Sequence, residues 1–201
     1  MMFVIKDSIH VIAPIERCFL LSTNIDLAAR TIGMRAVAGS ASGLVKAGDR
    51  VVWRGWKFGF PRRHESIISA YDAPSFFRDF MASGSFRFFQ HDHELTEICG
   101  QVLLNDVIRF ALPFGVAGRL VAKYIMVPHI RRLLQRRLTL LKLVAESDGW
   151  RGYLPEELPG GCIGIRDRCF PGLDKPDSRR RAAERVGDGP KGILQGLKPH
   201  S

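Results

Sequence analysis

Residues Phe3 to Ala13, FVIKDSIHVIA, alternate roughly between apolar and polar positions and are rich in β-branched side chains. That is the pattern of a half-buried strand. Pro14 follows where a helix can start, and IERCFLLST continues a helical pattern. Ser22 or Asn24 can cap a second short helix, Ile25 to Ile32, which Gly33 ends. The period then returns to two. Met34 to Ser40, GLVKAGDRVVWRGWKFGF, Arg62 to Tyr71, Ser75 to Ala82, Phe86 to Glu97 and Gln101 to Leu112 read as strand segments. Turn residues punctuate them at Ala47-Gly48-Asp49, Asp72-Ala73-Pro74, Ser83-Gly84-Ser85 and Cys99-Gly100. Their short, regular spacing predicts one antiparallel meander with a final hairpin around Cys99-Gly100, and no βαβ units.

Pro113 ends the last strand, and the period becomes helical. Leu120, Tyr124, Val127, Leu134, Leu138 and Leu141 recur at helical spacing within Val116 to Val144. Arg119, Lys123, Arg132, Arg136 and Arg137 fall largely elsewhere around this helix. Pro128 lies inside the pattern and predicts a kink or break near Val127. Pro113-Phe114-Gly115 with Gly118 reads as a strand-to-helix turn in preference to a hinge. The fold class is therefore α+β: a strand, two short helices and about six further strands, curved around one long C-terminal helix. After Ser147 the chain becomes rich in Gly, Pro and charge, with little apolar period. Residues 1–147 are expected to form the folded domain, and 148–201 a largely disordered tail.

Composition alters this picture in three places. The net charge is +10, and residues 113–147 carry seven basic side chains against one acidic. The long helix thus concentrates the excess, and a transient contact with an acidic membrane surface through it is one expectation; a plainly solvated face is the simpler one. The cluster Arg179-Arg180-Arg181 is short and mixed with acid, so nucleic acid is not an expected partner. Cys18, Cys99, Cys162 and Cys169 are scattered without a CxxC pair, which favours a reduced, cytoplasmic setting. The N-terminus lacks the uninterrupted apolar region of a secretory signal. Val102 to Val127, the most apolar region, is interrupted by Asp106, Arg109, Arg119 and Lys123 and lacks the roughly 18-residue apolar run of a membrane span.

The candidate chemistry centres on FRFFQHDHEL, where His91 and His93 point to one side of a strand. An HxH pair binds zinc when a neighbouring strand adds a third ligand, and Asp79 and Asp106 lie on the flanking strands. A carboxylate such as Asp106 can also orient an imidazole for proton transfer. The simplest reading is structural, with the pair hydrogen-bonding across the sheet to Asp79 or Asp106. His91, His93 and Asp106 are the catalytic candidates; no metal or other cofactor is expected. No nucleophile elbow, phosphate loop or dinucleotide fingerprint is present in the sequence. Trp53, Trp56, Phe58, Phe60, Phe76, Phe77, Phe80, Phe86, Phe88, Phe89, Phe110 and Phe114 concentrate in the strands and the start of the long helix. They occupy both parities, so some must face away from the interior.

The order of these elements resembles the START-like helix-grip fold of the SRPBCC superfamily, which includes polyketide cyclase/dehydrase-type and lipid transport proteins. The resemblance runs from about Phe3 to Ala145 and is closest to a small bacterial branch. FVIKDSIHVIAPIERCF looks like the opening strand and Pro-led helix. FGFPRRHESIISAYDAPSFFRDFMASGSFRFFQHDHEL looks like the central strands, with Phe58-Gly59, Ile67, Pro74, Phe77, Asp79, Met81, Gly84, Phe86, His91 and His93 in the family's places. LLNDVIRFALPFGVAGRL, with Asp106, Pro113, Phe114 and Gly115, looks like the last strand and helix start. EICGQV, Glu97 to Val102, stands where the family usually carries a Gly-rich turn and a Thr. The resemblance implies a cavity between sheet and helix that holds a lipid-like or polycyclic molecule, as carrier or sensor. The expected lining is Trp53, Phe58, Phe77, Met81, Phe86, Phe110, Leu120, Tyr124 and Leu134. It also implies two alternatives: a cyclase/dehydratase acting on an aromatic or polyketide-like substrate, and a regulatory interaction module with a filled core.

Overall fold

The structure is a computed structural model and describes residues 1–154. Strand β1 (Phe3–Val11) is followed by helices α1 (Ile15–Ser22) and α2 (Ile25–Ile32). Asn24 caps α2 by accepting the Leu27 amide, and Gly33 closes it in a left-handed conformation. Then come β2 (Arg35–Gly39), β3 (Arg50–Lys57), β4 (Phe60–Asp72), β5 (Phe76–Ser83), β6 (Phe88–Ile98) and β7 (Gln101–Ala111). All pairs are antiparallel, in the order β1-β7-β6-β5-β4-β3-β2. The last hairpin turns at Cys99-Gly100, both at positive φ, as the sequence predicts.

The stretch read as one segment to Phe60 instead breaks at Phe58-Gly59, where both residues have positive φ and form a second two-residue hairpin turn. Phe60 therefore opens β4. Pro61 is tolerated there because residues 60–64 pair with β3 alone, leaving the missing N–H on an unpaired side. Bulges at Glu65/Ser66 and Ile68/Ala70 add curvature to β4.

The C-terminal helix runs without a break through α3 (Gly115–Val121), a π turn (Ala122–Met126) and α4 (Val127–Glu146). The irregularity expected near Val127 takes the form of this π turn. A proline ring clashes with the carbonyl four residues back, here Tyr124, and the wider turn relieves it. Gly118 is a packing requirement: a Cβ there would sit 1.8 Å from the Pro113 carbonyl oxygen. That close approach fits the turn reading of Pro113 to Gly118.

Ile130, Leu134, Leu138, Leu141, Val144 and Ala145 of α4 are buried. They meet the inward residues of the sheet, among them Ile5, Val11, Val102, Leu104 and Phe110, and residues of α1 and α2 such as Phe19 and Leu27. The packed domain continues past 147: Trp150, in a 3-10 turn over Asp148–Gly152, and Leu154 are both buried in the same core. Two large apolar side chains at the start of the expected tail thus join the core. The rest of the expected tail lies outside the described residues. Among the described residues, no helix is long and apolar enough to cross a membrane.

A cavity between sheet and helix with a polar inner end

The alternation along β3, β4, β5 and β6 turns Trp53, His64, Ser66, Ile68, Phe77, Asp79, Phe89, His91 and His93 to one side. They face a cavity of about 740 Å³ whose opposite wall comes from α3, the π turn and α4, including Gly118, Met126, Ile130, Leu134 and Arg137. The interior is thus not a filled core. The cavity opens to solvent where Phe58 (52% exposed), Phe60 (62%) and Phe114 (85%) border it. Phe58 leans on His129 across this mouth, with ring centroids 4.9 Å apart.

Of the expected lining, Trp53, Phe58, Phe77, Phe86 and Leu134 border the cavity. Met81, Phe110, Leu120 and Tyr124 do not. Phe110 spends its ring on Phe3, stacked at 5.6 Å, and on Phe86, edge-on at 5.7 Å. Met81 packs its sulfur near Gly84. Leu120 and Tyr124 are exposed. The π turn changes the phase of the helix, so Ala117, Gly118 and Val121 ahead of it and Ile125 within it line the cavity. Phe76, Phe80 and Phe88 lie on the other parity, and Phe80 packs edge-on against Phe88 there.

His91, His93 and Asp106 do come together at the inner end. His93 and Asp106 are directly opposite on β6 and β7, and His93 Nδ1 lies 2.9 Å from Asp106 Oδ1. His91 Nε2 is 3.3 Å from Asp106 Oδ2, out of alignment for a hydrogen bond. Arg137 Nε stands 3.4 Å from the same oxygen, while its terminal nitrogen donates to the Ser22 carbonyl. Phe77 stacks flat on His93 at 4.1 Å. The cross-sheet hydrogen bond of the structural reading thus forms with Asp106 and not with Asp79.

Arg137 was missed by the helical pattern, which assigned it to the outer side. Its spacing from Leu134 and Leu141, three before and four after, already places it on the inward face. Asp79 and His64 were also not recognised as cavity groups. Their signal is strand alternation: each shares parity with an inward apolar neighbour, Phe77 and Ile68 respectively.

Burial opposes charge on Asp106, but the adjoining His93 and His91 rings hold its carboxyl well below the usual carboxylate range. Burial, then the neighbouring His91, pushes His93 down to about 3 against the pull of Asp106. Burial raises Asp79, with His64 and His91 pulling the other way. Burial also lowers His64. The inner end therefore holds an ion pair, Arg137 with Asp106, beside a neutral His93 and a carboxyl displaced toward its protonated form.

His91, His93 and Asp106 offer three donor atoms within 4.8 Å, a set that could hold a metal ion. The fixed guanidinium of Arg137 against the carboxylate disfavours a dication there, and the same contacts read as a charge-balanced polar cluster.

A stability test follows from His93. Its folded pKa lies below its unfolded value of 6.5, so below pH 6.5 the unfolded chain binds the proton the folded one refuses. Its stabilising contribution is lost as pH falls from 6.5 toward 3. The stability difference between the parent and a His93→Gln variant should shrink by about 1.4 kcal/mol per pH unit over that window. Urea melts of both proteins at pH 7, 6, 5 and 4 measure it, and a difference independent of pH would contradict a neutral buried His93.

Family models give no match to this chain, and curated proteins give none. Solved structures do. The protein TTHA0849 from Thermus thermophilus superposes with a TM-score of 0.56 at 17% identity, covering 72% of this chain and 99% of that one. The di-domain ARO/CYC BexL from the BE-7585A biosynthetic pathway superposes at 0.54 and 14% identity, over 73% of this chain and 50% of that one. A START superfamily protein from Mycobacterium smegmatis gives 0.49 at 12% identity, over 69% and 98%. With the seven-stranded curved antiparallel sheet gripping a long C-terminal helix, this chain has the START-like helix-grip fold.

Proposed function

We propose that this protein binds one hydrophobic small molecule, lipid-like or polycyclic, between the sheet and the long helix, as a carrier or sensor. One observation carries the reading: an open cavity of about 740 Å³, mostly apolar in lining, with Asp79, His91, His93 and Arg137 at its inner end and Lys57, Arg62 and His129 toward its mouth. Apolar burial would supply affinity and the polar end would orient the ligand. The likeness to an ARO/CYC protein is one of fold and leaves the reaction open. The catalytic alternative, proton transfer by a His93–Asp106 pair, is less favoured. His93 is buried beneath Phe77 and committed to Asp106, and its lowered pKa makes it a poor base near neutrality.

The mouth suggests how such a ligand is exchanged. Phe58, Phe60, Phe114, Val121 and Ile125 border the opening and are exposed. Lys57 also borders it, and Arg119 and Lys123 lie on the adjoining helix. Aromatic and aliphatic tips among basic groups suit transient contact with an acidic membrane surface. The test is titration with an environment-sensitive apolar dye. Saturable uptake of one dye per chain, faster in the presence of anionic vesicles than zwitterionic ones, is expected. Absence of saturable uptake would overturn the reading.

A further inference from the structure

We infer that the inner end of the cavity is a subsite for an uncharged hydrogen-bonding head group, a hydroxyl or enol, on an otherwise apolar molecule. The inference rests on the cavity binding a hydrophobic molecule at all. Four buried polar atoms at this end make no aligned hydrogen bond among the described residues: Asp79 Oδ1, and His91 Nε2, Asp106 Oδ2 and Arg137 Nε, of which the last three meet only as ion pairs at 3.3 and 3.4 Å. They come from β5, β6, β7 and α4 and converge on one region, with Asp79 and His91 directly opposite each other in the sheet. A buried polar atom left unpaired is costly, so folds retain such groups mainly where something completes them. Asp79, His91 and Arg137 border the cavity, so a ligand can reach them.

Charge selects the chemistry of that ligand. Arg137 and Asp106 already neutralise each other. An ammonium head would be brought against Arg137. A carboxylate head would be brought against Asp106 and would have to compete with it for Arg137. Either would be a net charge added to a poorly solvated pocket. A hydroxyl adds none. It both donates and accepts, which suits Asp79 Oδ1 on one side and His91 Nε2 on the other. Burial biases Asp79 toward its neutral carboxyl, which likewise donates and accepts.

Four matched fluorescent probes decide it: pyrene, 1-pyrenemethanol, 1-pyrenecarboxylic acid and 1-pyrenemethylamine, each titrated at pH 7 against the full chain and an Asp79→Leu variant. The alcohol should bind at least about tenfold tighter than the carboxylate and the ammonium. Asp79→Leu should bring the alcohol to within about threefold of pyrene. Asp79→Asn, which still donates and accepts, should keep the preference and covers the case in which the leucine variant does not fold. Pyrene binding with no preference among heads, or a carboxylate or ammonium that binds tightest, would overturn the head-group inference and leave the cavity reading standing. Failure of all four probes, pyrene included, would overturn the cavity reading and this inference with it.

Discussion

Leu134→Arg is expected to abolish uptake of an apolar dye. Leu134 is 1% exposed, lies in the buried row of α4 and also borders the cavity. A guanidinium there has two outcomes. It stays inside, where removing its hydration costs several kcal/mol and destabilises the domain. Or its stem crosses the cavity toward the mouth and occupies the ligand's volume. Both remove uptake. Leu143→Arg is the control, because Leu143 is 65% exposed on the same helix. That change should stay within about 0.5 kcal/mol of the parent and leave uptake intact. Saturable dye binding by a Leu134→Arg protein with native stability would contradict a cavity walled by α4.

Asp106→Ala should destabilise the domain by about 3–5 kcal/mol, because Arg137 would be left charged and buried without its carboxylate. His93 would lose its partner at 2.9 Å in the same step. In a domain of this size that corresponds to a fall of roughly 10 °C in Tm. Adding Arg137→Met should recover part of the loss, since the orphaned charge goes with it. Calorimetry of the single and double variants measures both. A single variant within about 1 kcal/mol of the parent would show that the cluster holds no uncompensated charge when Asp106 is absent.

These two sites also divide what the sequence reveals from what it hides. Element order is written in local chemistry: Pro14 before α1, Asn24 and Gly33 around α2, Cys99-Gly100 at the last hairpin. Each acts over a few residues and can be read without the rest of the chain. The convergence of His91, His93 and Asp106 was legible for the same reason, since strand parity and hairpin register are local consequences of that turn. The phase of the long helix was not. A pattern of large apolar residues favours Leu120 and Tyr124, but the π turn relieving Pro128 shifts the inward row to Gly118, Val121 and Ile125. Arg137 was hidden by its charge: a basic residue is assigned outward unless its buried partner, here Asp106, is known. Trp150 and Leu154 sit among turn residues whose composition masks two core side chains. The cavity itself depends on the summed volume of inward side chains from β3 to β7, α2 and the long C-terminal helix, which no short window contains.

The most direct test of a ligand-holding interior is native mass spectrometry of the full chain purified from its own cell extract, followed by denaturation and identification of what is released. An apolar molecule at one per chain, carrying an uncharged hydroxyl or enol, is the predicted result. A clean apo mass, with no uptake from a total lipid extract, would contradict it.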